Sequence, residues 1–288
     1  MKRINVYGQD HSPWVQSVLL ALHEQQISYR LTTVPTLSLL VSGGVMMPAL
    51  RFESDTWIRE STDILYRLGY EKPTTDESKH IQAAWQGVVH RSDHPGVFFQ
   101  SVSWISDPEK NSMQLILKQL FRGFIAVYFF LLLVFVRFSR IIRNPDNFVT
   151  QFKFWNDKLV LTDSAFIDGD LPGQCDLQLF GIVQCHSSIP SPVLTALISS
   201  RELARLRRWI EVMQLRFHSF PHMYSGTYFK PNLPAPTRAA VNQRVAFWAG
   251  VLLTMLFFPL TLPVMAINAF RTHYPAKLHS AIEPNTNH

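Results

Sequence analysis

The chain has 288 residues, enough to bury two modest cores and carry an appendage. Apolar residues make up 47% and charged residues 17%, so hydrophobicity is concentrated in particular stretches, and two cysteines, Cys175 and Cys185, exclude a disulfide framework and a cysteine-based metal site. The formal charge of +6 is spread over scattered Lys and Arg residues that also flank the apolar stretches, which favours lipid headgroups over nucleic acid as an acidic partner.

The opening MKRINVYGQDHSP is basic but has no apolar region behind it, so it reads as a cytoplasmic start rather than a secretory signal. Alternation from Arg3 to Tyr7 predicts a short strand, and Gly8 to His11 supplies a turn. Ser12 is a suitable N-cap and Pro13 suits the first helical position. Val15, Val18, Leu19 and Leu22 share one helical face. A strand over Tyr29 to Val34 completes a β-α-β unit, which implies a parallel pair with a right-handed crossover. After an indistinct piece, Gly43-Gly44 leads through Met46, Met47 and Pro48 to a strand over Ala49 to Phe52. Glu53 to Asp55 then make a hairpin loop to Thr56, Trp57 and Ile58. Ser61 is the expected N-cap of the next helix, with Asp63 in its first turn, Ile64, Leu65 and Leu68 on its apolar face and Gly69 as its stop.

Lys72 to Asp76 is polar and contains a proline, so the first domain is expected over residues 1–72. An all-helical domain follows over 78–225, with helices near Ser78 to Ser103, Asn111 to Arg143, Asp146 to Thr162, Gln174 to Cys185 and Pro192 to Phe217. The prolines of YFKPNLPAPT predict an extended linker over 226–244, followed by a hydrophobic segment over 245–270 and a polar tail over 271–288.

Three motifs in order, YGQDHSPW, GGVMMPAL and RESTDILYRLG, resemble the N-terminal domain of glutathione transferases. The resemblance implies a thioredoxin-like domain, β-α-β-α-β-β-α, joined to an all-α domain. It also implies a role for individual residues. Pro48 would follow a cis bond so that the backbone of Met47 pairs with the cysteinyl part of glutathione, while Glu60 and Ser61 hold its γ-glutamyl end. Ser12 would direct its hydroxyl at the glutathione sulfur and favour the thiolate, because in related subfamilies the start of the first helix carries Ser or Cys. A serine there argues against a glutaredoxin-like thiol transferase. A plain helix cap at Ser12, and a cap at Ser61 with a solvated Glu60, are the structural alternatives. Tyr7, at the end of the first strand, is a second candidate for steadying the thiolate, and Asp10 and His11 are assigned to turn chemistry. Phe166 to Leu177 resembles the family's passage into its central helix, where Asp176 is a structural cap.

The segment from Val245 to Phe270 has no charged residue and exceeds the roughly 20 residues that cross a bilayer. It is expected to associate with a membrane, as a bent span or as an interfacial hairpin, since Pro259 and Pro263 interrupt it. The run Gly123 to Val136 is too short for a comfortable span and is expected as the central helix of the helical domain. His90 and His94 lack a third ligand, so no metal is expected, and the basic run at Arg201, Arg205, Arg207 and Arg208 reads as a solvated helix face.

Two functions follow from this reading. The first is a membrane-associated glutathione transferase-like enzyme on the cytoplasmic side, with glutathione as co-substrate, an apolar electrophile or hydroperoxide as second substrate, and a second copy of the chain as partner. The alternative is a non-catalytic protein of the same fold that organises interactions at a membrane.

Overall fold

The computed structural model describes residues 4–36, 39, 47–52, 56–106, 112–139, 147–235 and 237–263. The elements begin β1 (Ile4–Tyr7), α1 (Pro13–Glu24), β2 (Tyr29–Thr32), β3 (Ala49–Phe52), β4 (Ile58–Arg59) and α2 (Ser61–Arg67). Their sheet has the order β2-β1-β3-β4. Strand β1 runs parallel to β2 with Ile4 opposite Tyr29, and antiparallel to β3 with Val6 opposite Leu50. This is the small mixed sheet of the thioredoxin-like plan. The expected helix between β2 and β3 and the hairpin loop at 53–55 lie outside the described residues.

Helix α1 is buried on nearly every side, including Gln16 and Ser17, because it lies between the sheet and α7 (Gln174–Ser188). Their approach is close enough to require a glycine: a Cβ on Gly181 would sit 2.4 Å from the carbonyl oxygen of Pro13. Side chains of both domains therefore join one core around Leu19, Leu50, Phe152, Trp155, Phe180 and Trp209. Asp176 is fully buried at the start of α7, where it accepts hydrogen bonds from the N–H groups of Ile167 (2.8 Å), Asp168 (3.1 Å) and Gly173 (3.1 Å) and from the Trp209 indole (2.7 Å). Four donors on one carboxylate fix the loop before α7 and tie it to α9 (Ala204–Arg216), the structural role expected of Asp176.

The helical region is more broken than its periodicity suggests. The predicted helix from Ser78 starts earlier, at Thr75, because Thr74 and Glu77 form a reciprocal capping box. It then divides into α3 (Thr75–Gln86), a 3₁₀ turn (Gly87–Asp93) and α4 (Pro95–Ser103), where Pro95 begins a new helix. Helix α5 spans Ser112–Phe138 and α6 spans Thr150–Thr162. The predicted helix from Pro192 to Phe217 is interrupted after α8 (Pro192–Ser199) by a 3₁₀ turn (Arg201–Leu203). Arg207 donates to the carbonyl oxygens of Leu197 (3.2 Å) and Ser200, and Arg205 donates to Leu159 (3.3 Å) and Ser164 (2.7 Å). These two arginines hold the C-terminal ends of α6 and α8 in place, which corrects their reading as a solvated face.

The apolar segments also differ from expectation. Gly123 to Val136 is not the central helix of the domain; that place belongs to α7. Instead it lies in the 27-residue α5, which joins a second core cluster with Val88, Phe98, Val102, Phe247 and Val251. The tail forms α10 (Val241–Leu256), which begins inside the stretch expected as linker and packs on α5. Helix geometry resumes over 258–263, and the remainder of the 245–270 segment lies outside the described residues. Linker residues 226–235 fold back on the domain, where Leu233 donates its N–H to Gly226 (2.7 Å).

Candidate functional site

At the C-terminal end of β1 the chain turns sharply into α1. Gly8 has φ +153°, and a Cβ there would lie 2.3 Å from Val15 Cγ2 and 3.3 Å from Met47 Cβ. The Gln9 N–H reaches the Met47 sulfur at 3.4 Å, so the turn before α1 and the segment before β3 touch each other. The Met47–Pro48 peptide bond is cis, and Pro48 is buried.

Met47 and Pro48 open onto a cavity of about 160 Å³ whose other walls include Glu60, Ser61 and Thr62, with Trp14, Ile81 and Gln178. Four of the five residues singled out from the sequence, Met47, Pro48, Glu60 and Ser61, therefore share one concave site. Among the described residues Glu60 is the only ionisable one in its lining; hydroxyls and amides from Ser61, Thr62, Ser78, Gln82 and Gln178 supply the remaining polarity. Glu60, rather than Ser61, occupies the N-cap of α2, with φ +67° and ψ 122°. A non-glycine residue in that region carries strain of about 1–3 kcal/mol, and here the strained residue carries the site's carboxylate. Ser61 is buried and accepts a hydrogen bond from Gln178 Nε2 at 3.4 Å, while Thr62 Oγ1 accepts from the same amide at 3.1 Å.

Ser12 is placed differently. It is the N-cap of α1 by backbone geometry, but its side chain makes no capping hydrogen bond. The plain capping role is thus not the one its hydroxyl performs. Nor does Ser12 line the cavity; Trp14, two residues on, does, with its ring 6.0 Å from that of Trp85. Tyr7 packs with Leu39 and Ala49, away from the cavity lining, and burial pushes its phenol up to about 12.

Asp10 does more than shape a turn. Its Oδ2 accepts from the Tyr224 hydroxyl (2.9 Å) and pairs with His222 Nδ1 (3.0 Å), and the His11 ring approaches Oδ1 to 3.7 Å. Burial works against the charge, but hydrogen bonding and charge from His11 and His222 outweigh it and hold Asp10 well below the usual carboxylate range. Gln16 completes the link by donating to the backbone carbonyls of Asp10 and His222. The loop that carries Ser12 is thereby fastened to the segment after α9.

Sequence reasoning missed Trp14, Thr62, Gln178 and the partners of Asp10. Gln178 left no distinct signal, because it is one of several polar residues, with Gln174, Gln184 and His186, buried along α7. The Asp10 partners left none, being more than 200 residues away. His90 pairs with Asp93 at 3.0 Å rather than with His94. Glu77, Asp168 and Cys175 place ligand atoms within 4.8 Å of one another. Glu77 is engaged by Lys158 and Thr74, Asp168 accepts from the Cys175 N–H (2.9 Å), and burial pushes the Cys175 thiol up, so this group is a hydrogen-bonded staple.

Residues 11–70 match the family model described as the N-terminal domain of glutathione S-transferase. Over these residues the chain is similar to a glutathione S-transferase N-terminal domain. The match takes in Ser12, Met47, Pro48, Glu60 and Ser61 and ends before the helical domain. No curated protein sequence matches the chain. Similar solved structures include human glutathione S-transferase T1-1 in its apo form, at 15% identity with 85% of this chain and 98% of that chain covered and a TM-score of 0.43. A glutathione S-transferase from Pseudomonas fluorescens is similar at 14% identity, covering 76% and 96%, with a TM-score of 0.38. A theta class glutathione S-transferase from Xanthomonas axonopodis pv. citri, solved with glutathione bound, is similar at 16%, covering 81% and 100%, with a TM-score of 0.39.

Proposed function

We propose that this transferase-type domain binds glutathione in the cavity beside Pro48 and presents its thiolate to an apolar electrophile or hydroperoxide. The observation that carries this reading is the convergence of Met47, Pro48, Glu60 and Ser61 on a single cavity. The main-chain edge of Met47 would pair with the cysteinyl backbone. The Glu60 carboxylate would face the γ-glutamyl ammonium, and the Ser61 hydroxyl the adjacent carboxylate. Ser12, whose hydroxyl is not used as a helix cap, would donate to the sulfur and favour its ionised form. Attack on carbon forms a C–S bond as the leaving group departs; with a hydroperoxide, two glutathione molecules yield a disulfide, an alcohol and water. The reading includes association with the cytoplasmic side of a membrane through residues 245–270.

One observation favours a second reading, a non-catalytic protein of this fold that organises interactions at a membrane: Ser12 stands outside the cavity lining. Titrating the full-length protein with glutathione while following thiolate absorbance separates the two. The enzyme reading expects saturable binding with a thiolate signal that Ser12→Ala abolishes and Glu60→Gln weakens. Binding without a thiolate signal, or no binding at all, favours the second reading.

A further inference from the structure

Helix α5 carries an outer stripe that a water-facing helix would not have. Met113, Leu117, Leu131, Phe135 and Phe138 follow one another at helical spacing and are all exposed. Between them, on the same stripe, stand Phe121, Phe124 and Tyr128, whose rings contact one another in series at 5.8 and 5.0 Å. The stripe runs about 38 Å, at 1.5 Å per residue. Helix α10 repeats the pattern with Val241, Val245, Trp248, Leu252 and Leu256, all exposed.

The two helices are joined backbone to backbone. A Cβ on Gly123 would lie 2.3 Å from the Phe247 carbonyl oxygen, and one on Gly250 would lie 2.1 Å from that of Leu120. Farther along, the Tyr128 ring stacks on Phe258 at 6.2 Å and its hydroxyl bonds to Thr261. Since residue 120 meets 250 and residue 128 meets 258 and 261, the pair runs parallel. Helix α5 is long and apolar enough to cross a membrane. Yet it is fastened to the helical domain at two places. Gln119 and Arg122 donate to the Ile105 carbonyl at 2.9 and 2.6 Å, and Arg137 pairs with Asp93 beside Ser92. A helix held along the flank of a folded domain cannot traverse a bilayer without pulling that domain in.

Charge selects the occupant of this face. Residues 111–145 and 226–282, which contain the two helices, hold ten of the chain's 27 Lys and Arg and none of its 21 Asp and Glu, leaving 17 basic against 21 acidic residues elsewhere. The whole positive excess therefore belongs to the two apolar segments. The uncharged run also continues by sequence through Phe270 to Arg271. In sequence these stretches interleave aromatic and aliphatic residues with cations and no acidic residue, a pattern that matches an anionic bilayer surface.

We propose that α5 and α10 form one docking face that lies in the plane of an anionic membrane, so that the midchain helix shares the anchoring assigned to the tail. The proposal rests on the membrane association given above and adds α5, the in-plane orientation and the lipid charge. Its test is flotation of the full-length protein with vesicles of phosphatidylcholine, with and without phosphatidylglycerol. The wild type is expected to float with the anionic vesicles. The double substitution Leu131→Glu, Phe135→Glu, at exposed positions, is expected to lower the bound fraction by about tenfold or more with an unchanged circular dichroism spectrum. If it floats like the wild type while Leu252→Glu, Leu256→Glu is released, the tail anchors alone and the role of α5 is wrong although the membrane reading survives. If the wild type does not float, both fail; a dimer in sedimentation that the α5 substitutions dissociate would then assign the face to a second copy. Orientation is read by an impermeant maleimide on vesicle-bound Gln114→Cys and Ser139→Cys, the native Cys175 and Cys185 being buried. Both positions are expected to label from outside, and protection of one of them would mean a span and overturn the in-plane arrangement.

Discussion

Replacing Asp10 by alanine tests whether the loop bearing Ser12 is held by its distant partners. The change removes a charge-assisted bond to Tyr224 at 2.9 Å and one to His222 at 3.0 Å, in a cluster where both Asp10 and His222 are mostly shielded from water. Hydrogen bonds to charged groups contribute about 1.5–3 kcal/mol each, and because the two share one acceptor their loss is less than additive, giving about 3 kcal/mol in total. For a chain of this size that corresponds to a fall in Tm of about 6–10 °C. The sign with pH follows from the depressed folded-state pKa of Asp10: its stabilisation is fully present above the unfolded value of about 3.9 and is lost as pH falls through the folded value. Differential scanning calorimetry should therefore find a gap between wild type and Asp10→Ala at neutral pH that closes as pH falls below about 4. A Tm within about 2 °C of the wild type at pH 7 would mean that the cluster does not bear on stability and that the loop is fixed by other contacts. Tyr224→Phe, which removes one charge-assisted bond and leaves the ring, should cost about 1.5 kcal/mol or more.

Two further outcomes follow from close contacts near the cavity. Gly181→Val should destabilise by about 3 kcal/mol or more in chemical denaturation, because its Cβ would meet the Pro13 carbonyl at 2.4 Å between two helices that cannot separate without opening the core. A near-neutral result would show that α1 and α7 are not locked together. Gln178→Ala should raise the KM for glutathione about fivefold with little change in kcat, since it removes about 1 kcal/mol of support from Ser61 and Thr62. A fall in kcat with unchanged KM would place Gln178 in the chemistry instead of in binding.

The sequence shows an element directly where its cause is local. Pro13 at the head of α1, the β-α-β opening and the β3–β4 pairing follow from alternation, proline geometry and turn residues within a few positions of one another. The same holds for Asp176, whose capping partner Gly173 is three residues away. Helix divisions were less legible: Thr74 with Glu77 moved one start, and Pro95 and Ser200 broke two helices that periodicity had joined.

By itself, then, the sequence determined the ordered motifs, the candidate residues Met47, Pro48, Glu60 and Ser61, and the two apolar stretches, because each depends on residue type and short spacing. Only the tertiary structure decided that those four residues border one cavity and that Ser12 stands outside it. It likewise decided that Asp10 is gripped by His222 and Tyr224 and that the two apolar stretches pack together through Gly123 and Gly250. Each of these depends on contacts between residues far apart in the chain, where packing geometry and not local preference chooses the partner.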